Sequence, residues 1–431
     1  MALHLHILPT ACFSKGLTPY MSVPTRPFSH HCMSLNIRSH LNSLTSEPIT
    51  KRRSANYQPN IWCYEFLQSL KSDYTISKSL FFGEAYKSMT KKLEEEVKHR
   101  LDDKAMGHLC QLELIDDIQR LGLGYLFEEE IKKVLATIAR RKDIKTRTEE
   151  NEAGNFIPSY LDNVKGVLSL YEASHLAVEG ESILDEAKDF SRTALEGIKG
   201  NMEPSVAKLV IHALELPLHW RMPWIEARWY TDIYEQKNNS IPALIELAKL
   251  NFNIVQAVHQ KELAELSRWW EHLGFRYHMD FARDNLVPCF LWALGMNPEP
   301  QLSFFRIELT KVIMLIKTID DVYGSMEELD LFTDVVERWD IEAMEQLPNY
   351  IKICFLALFN TVNEMGYDHL KERGVETIRF LKIRWVDLCK AYLIEAKWYY
   401  NNHRKTLEEY LNNAITSIGG KVILIHAFSS L

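Results

Sequence analysis

No apolar run in this chain approaches the length needed to cross a bilayer, which argues against a membrane partner. Its seven cysteines (Cys12, Cys32, Cys63, Cys110, Cys289, Cys354 and Cys389) are scattered, odd in number and without a C-x-x-C pair. That pattern suits a reducing compartment and excludes both a disulfide framework and a cysteine zinc site. A basic excess is missing too. The formal net charge of −8 excludes a general nucleic-acid binder, which needs a basic face. Glycine and proline are few, 17 and 15 in 431 residues, and fall between apolar stripes, as in "LGMNPEPQ" and "KNNSIP". Alternating strand patterns closed by hairpin turns are essentially absent, and so is any fixed-period solenoid repeat. What is present, 46% hydrophobic and 25% charged residues, is ordinary for a soluble globular chain long enough for two or three domains.

Acidic residues are nearly missing from the first fifty positions, where Glu47 stands alone. Serine, threonine and histidine are frequent there, with Lys15, Arg26 and Arg38, and prolines at 9, 19, 24, 27 and 48 break any helix. Such a leader reads as a plastid transit peptide covering residues 1–51, and a disordered tail is the alternative. The expected location is the chloroplast stroma, with the cytoplasm as the alternative.

From Trp62 onward the apolar spacing is helical, and the expected fold is all-α. In "HLCQLELIDDIQRLG" a stripe of Leu109, Leu112, Ile115, Ile118 and Leu121 leaves Asp116 and Asp117 on a solvated face. Further stripes run over Val164–Ala177, Pro204–Leu216, Ala243–Val258, Leu286–Leu294, Ile307–Ile319, Tyr350–Met365 and Ile378–Trp398, with a linker near Lys237–Pro242. The charged segment Ala136–Phe156 lacks a stripe and reads as a loop or frayed helix end.

Chemistry gathers in the second half. Asp320-Asp321 repeats the Ile-Asp-Asp tripeptide of Asp116-Asp117, here closing the apolar helix "LTKVIMLIKTIDD". Neighbouring carboxylates in that place hold a hard cation such as Mg²⁺, which wants oxygen ligands and commonly bridges to phosphate. Arg283, in "FARDNLVPCFLWALG", offers the planar fork that suits phosphate oxygens. Trp269, Trp270, Phe275, Tyr277, Phe281, Phe290, Trp292, Phe304, Phe305 and Tyr323 supply ring faces able to stabilise a carbocation. Taken singly, these are a surface pair, an ion-pair partner and core aromatics. In combination they point to diphosphate ionisation inside an apolar pocket.

Longer stretches carry a resemblance. "RRSANYQPNIW" holds Arg52 and Arg53 with Trp62 after eight intervening residues, and is followed by "LELIDDIQRLG", "LSLYEASHL", "HALELPLHWRMPWIEARWYTDIYE", "FARDNLVPCFLWALG", "ELDLFTDVVERWDIEAM", "CFLALFNTVNEMGYDHLKERG" and "LCKAYLIEAKWYYNN". From about Arg52 to its end the chain resembles a plant terpene synthase of the angiosperm monoterpene-synthase type. The resemblance implies an N-terminal helical barrel domain over 52–236 and a C-terminal class I metal-binding domain over 237–431. It implies Asp320 and Asp321 as ligands of Mg²⁺, with Mn²⁺ as the alternative, and these two with Arg283 as the diphosphate contacts. Trp292 becomes a pocket-wall aromatic, and Arg52 and Arg53 a pair capping the closed site. The implied reaction is ionisation of a prenyl diphosphate, geranyl diphosphate by expectation, by a monomer. Metal and arginine neutralise the leaving group, and the cation rearranges in a pocket that excludes water.

Four departures from the family accompany the likeness. Where the family reads D-D-x-Y-D-x-Y-G, Tyr323 is followed at once by Gly324, so glycine stands in place of a third aspartate, with Glu327 as a possible substitute on the same face. The family's R-x-R is Arg283-Asp284-Asn285, and asparagine brings no charge. The second metal motif would lie beyond "VILIHAFSSL", which leaves the apolar Val422–Ala427 expected to lack partners. Ala136–Phe156 replaces a longer family segment. A catalytically impaired, shortened family member is therefore the competing reading. A trans-prenyltransferase is a third, but it needs two aspartate-rich motifs and leaves Arg52-Arg53…Trp62 unexplained.

Overall fold

Helices make up the regular structure, and no strand occurs among the described residues. The computed structural model describes residues 60–72, 80–103, 105–140, 163–198, 203–322 and 326–430. The leader, Arg52, Arg53, Tyr323 and Gly324 lie outside these, as does most of the charged segment after Arg140. The first eight helices are α1 (Tyr64–Ser69), α2 (Leu80–Leu101), α3 (His108–Arg120), α4 (Glu128–Ala139), α5 (Val164–Ser174), α6 (Ser182–Gly197), α7 (Pro204–Glu215) and α8 (Pro223–Glu235). Then follow α9 (Pro242–His272), α10 (Phe275–His278), α11 (Leu286–Met296), α12 (Ser303–Val322), α13 (Met326–Arg338), α14 (Asn349–Arg373), α15 (Ile378–Tyr400), α16 (Leu407–Ser417) and α17 (Gly420–Ser430). Proline opens α7, α8 and α9, the one place in a helix where its missing N–H costs nothing. Ala136 belongs to α4, whose Ile138 is buried, so the helix runs further into the charged segment than its composition implies.

Three apolar cores result among the described residues. The first joins α2, α3, α4 and α8 to the start of α9, with Ile118, Phe127, Tyr230, Leu244 and Leu247 among its most buried members. A small second core ties α5 to α6 and α7. The third and largest collects the end of α9 with α10 to α15 and α17, and takes in Tyr64 and Leu67 of α1. At 31 residues α9 is the beam shared by the first and third, with Leu244 in one and Leu266 and Trp270 in the other. Arg306 of α12 is wholly buried against it, its guanidinium giving Glu262 two hydrogen bonds of 2.8 and 2.6 Å.

Two expectations need correction. On α3, Leu109 and Leu112 are exposed, whereas Asp117 is buried at 9% exposure. A strict three-residue step turns a helix by about 300°, so such a stripe slides about 60° around the axis at each step. The face that packs holds Leu114, Ile115, Asp117 and Ile118. Asp117 accepts hydrogen bonds of 2.6 Å from the Tyr230 hydroxyl and 2.6 Å from the Lys237 ammonium, which latches α3 to the α8–α9 turn. Only Asp116 keeps the solvated position, 2.9 Å from Arg120 Nε. On α17, Val422 and Ala427 are buried in the large core instead of lacking partners, and it is Leu424 and Phe428 on the other side that are exposed. Left-handed Gly419 makes this possible: it breaks the chain between α16 and α17, where a Cβ would press within 3.2 Å of Ile316 on α12.

Candidate active site

The site forms where α12 ends beside the segment that enters α11. Thirteen residues of α12 are buried, so its direction is set by core packing and its last turn carries Asp320 and Asp321 to the rim. Asp320 is half exposed (50%) and Asp321 mostly covered (12%). The segment before α11 is pinned on both sides. Met279 is buried in the large core, and the Ala282 N–H donates to the Met279 carbonyl at 3.0 Å. Asp284 accepts a 2.5 Å hydrogen bond from the hydroxyl of Tyr64, 220 positions earlier in the chain. Burial, then the bond to Asp284, pushes the Tyr64 hydroxyl well above its ordinary range, so it stays protonated and remains the donor.

Held in this way, Arg283 reaches both aspartates. Its backbone N–H and its Nε donate to Asp321 Oδ2 at 2.7 and 2.9 Å, and its Nη2 donates to Asp320 Oδ2 at 2.5 Å. Desolvation raises the Asp320 pKa, against the pull of Arg283 and with like charge from Asp321 and Glu395 adding to it. Both carboxylates also sit at the C-terminal end of α12, where the helix dipole is negative, and that further favours a cation. Glu395 on α15 is held nearby by the Ser417 hydroxyl at 2.5 Å and Asn413 Nδ2 at 3.2 Å. Buried Tyr392, one turn before Glu395, has its hydroxyl pushed well up by burial and then by Asp320.

The structure thus brings together Arg283, Asp320 and Asp321. Trp292 lies on α11, 52% exposed, with the Lys317 ammonium 4.8 Å from its ring centre. Most of the remaining aromatic density is core: Trp270, Phe275, Phe290 and Phe305 are buried, and Trp270 meets Phe275 edge to face at 5.1 Å. Trp62 is exposed, and Arg52 and Arg53 lie outside the described residues. Among the described residues no group of three or more His, Cys, Asp or Glu side chains is set to hold a metal by itself. Two carboxylates suit a cation such as Mg²⁺, which usually takes one or two from the protein and the rest from water and a phosphate. Sequence reasoning missed Tyr64, Tyr392, Glu395 and Lys317. Of these only Lys317 left a signal, since positions three and four before an aspartate pair share its helix face.

Comparison with known proteins gives the family. The model of the terpene synthase N-terminal domain matches residues 61–153 and 148–214, and that of the terpene synthase family metal binding domain matches 271–431. An alpha-thujene synthase of Litsea cubeba is 45% identical over 460 aligned residues, covering 100% of this chain and 77% of the relative. The solved isoprene synthase of grey poplar, in complex with three Mg²⁺ ions and dimethylallyl-S-thiolodiphosphate, is 40% identical with a TM-score of 0.77, over 86% of this chain and 74% of that one. A limonene synthase with 2-fluorolinalyl diphosphate is 38% identical with a TM-score of 0.82, over 88% and 76%. The chain belongs to the plant terpene synthase family, within its monoterpene-synthase group. Its fold is the helical terpenoid-synthase fold, and no described helix is long and apolar enough to cross a membrane.

Proposed function

We propose that this chain converts geranyl diphosphate to a monoterpene and diphosphate with Mg²⁺, using Asp320 and Asp321 as metal ligands. The observation that carries the reading is Arg283 lying across both carboxylates at one rim, an anion-binding fork beside a cation-binding pair. When bound, the metal supplies charge to the leaving diphosphate. The chain's own residues do the rest. Arg283 would hold a phosphate oxygen with its planar fork. Tyr64 keeps the Arg283 segment in place through Asp284. Trp292 lines the pocket, and Arg52 and Arg53 close over it from the N-terminal side. We assign the N-terminal helical domain to 52–236 and the metal-binding domain to 237–431, and place the protein in the plastid behind a leader of 1–51. Support comes from the Mg²⁺ and thiolodiphosphate of the isoprene synthase structure, the linalyl diphosphate analogue of limonene synthase, and the chloroplastic names of relatives.

The test is to incubate the purified chain with geranyl diphosphate and Mg²⁺ and follow diphosphate release together with volatile products. Turnover that chelator abolishes supports the proposal. Asn285 favours a second reading, a family member that binds but does not ionise, because it leaves Arg283 as the one cationic residue of its motif. That reading expects metal-dependent diphosphate binding with no product.

A further inference from the structure

Lys317 sits at the site and has no role in the reading above. It lies on α12 three and four positions before the aspartates, so all three share the helix face where side chains neighbour one another. Its ammonium rests 4.8 Å from the ring centre of Trp292 on the adjoining α11. It is also close to the motif that carries Arg283. The buried Cys289 thiol, on the first turn of α11, is pushed up to about 11 by burial and pulled back first by Lys317 and then by Arg283. Lys317 and Arg283, from different segments, are the two cations whose charge acts on that thiol, while Asn285 at the start of α11 contributes none.

We propose that Lys317 supplies the second positive contact for the diphosphate, moving off the Trp292 face toward an anion held by Arg283. This rests on the diphosphate reading of the site and adds a residue to it. A lysine suits the part, being a flexible point charge on a long stem that can rest on an aromatic face and reach an anion when one arrives. On departure Lys317 returns to the indole, which keeps the ammonium partly covered at little cost.

The test is calorimetric titration of the full chain with inorganic diphosphate at saturating Mg²⁺, comparing the wild type with Lys317→Met and Lys317→Arg. Loss of a charged contact is expected to weaken binding roughly tenfold or more in Lys317→Met. Lys317→Arg should stay within a few-fold of wild type, and the salt dependence of binding should flatten only in the methionine variant. Equal affinity in wild type and Lys317→Met overturns the role of Lys317 while leaving the site reading intact. No binding by the wild type overturns both. Thermal melts accompany each variant, and Lys317→Gln, which keeps the stem and a polar end, replaces Lys317→Met if that variant melts early.

Discussion

The tripeptide Ile-Asp-Asp occurs twice in the described structure, and its two copies do opposite work. At Ile115-Asp116-Asp117 the second carboxylate points into a helical core and is closed off by Tyr230 and Lys237. At Ile319-Asp320-Asp321 both carboxylates reach a rim and are held by one arginine that arrives from another segment. The first copy lies where α3 turns its packed face toward α8, so Asp117 must find buried partners. The second lies on the last turn of a helix, where Asp320 stays half exposed and Arg283 crosses from the segment before α11. Identical residues acquire different surroundings because the charge set against them belongs to other elements.

The comparison can be broken most severely at the rim. Asp321→Asn should lower turnover of geranyl diphosphate by roughly a hundred- to a thousandfold, the scale of losing one electrostatic contact to developing charge. Steady-state kinetics beside circular dichroism check this, and an equal loss in Asp117→Asn at unchanged stability would erase the distinction between the copies. Asp117→Ala should act on stability instead. It removes the acceptor of the buried Tyr230 hydroxyl and of the partly covered Lys237 ammonium, and is expected to cost about 2 kcal/mol in denaturant unfolding. Asp116→Asn removes the exposed partner of Arg120, which keeps its buried pair with Glu172, and should change stability by about 0.5 kcal/mol or less. The same region also sets a slope against pH. Burial depresses the His259 pKa to about 4 and that of His426 to about 3, both packed with the helices of the site region. Below about pH 6.5 an unfolded chain binds protons that these two refuse, so stability is present above that value and lost as pH falls through the depressed values. Melting temperatures measured from pH 8 to 4 should fall, and His259→Gln should flatten the decline.

Much of the architecture was legible because helix formation is a local matter. The apolar stripes over Pro204–Leu216, Leu286–Leu294 and Ile378–Trp398 correspond to α7, α11 and α15. The stripe drawn on α3 held at Ile115, Ile118 and Leu121 and missed at Leu109 and Leu112, because counting by threes drifts around a helix and because an aspartate with two donors at hand can take a core position. At the site, Arg283, Asp320 and Asp321 were picked out by residue type and order, and they do meet. Tyr64 and Glu395 were not, since nothing local marks a tyrosine whose partner is 220 positions away or a glutamate held by Ser417 and Asn413.

By itself, then, the sequence determined the helical class, the family and the residues able to carry charge chemistry, because periodicity and motif order are written along the chain. Which aspartate pair became a rim and which a latch was decided only by tertiary structure. A carboxylate's role depends on the partners and the water around it, and those come from segments that folding alone brings together.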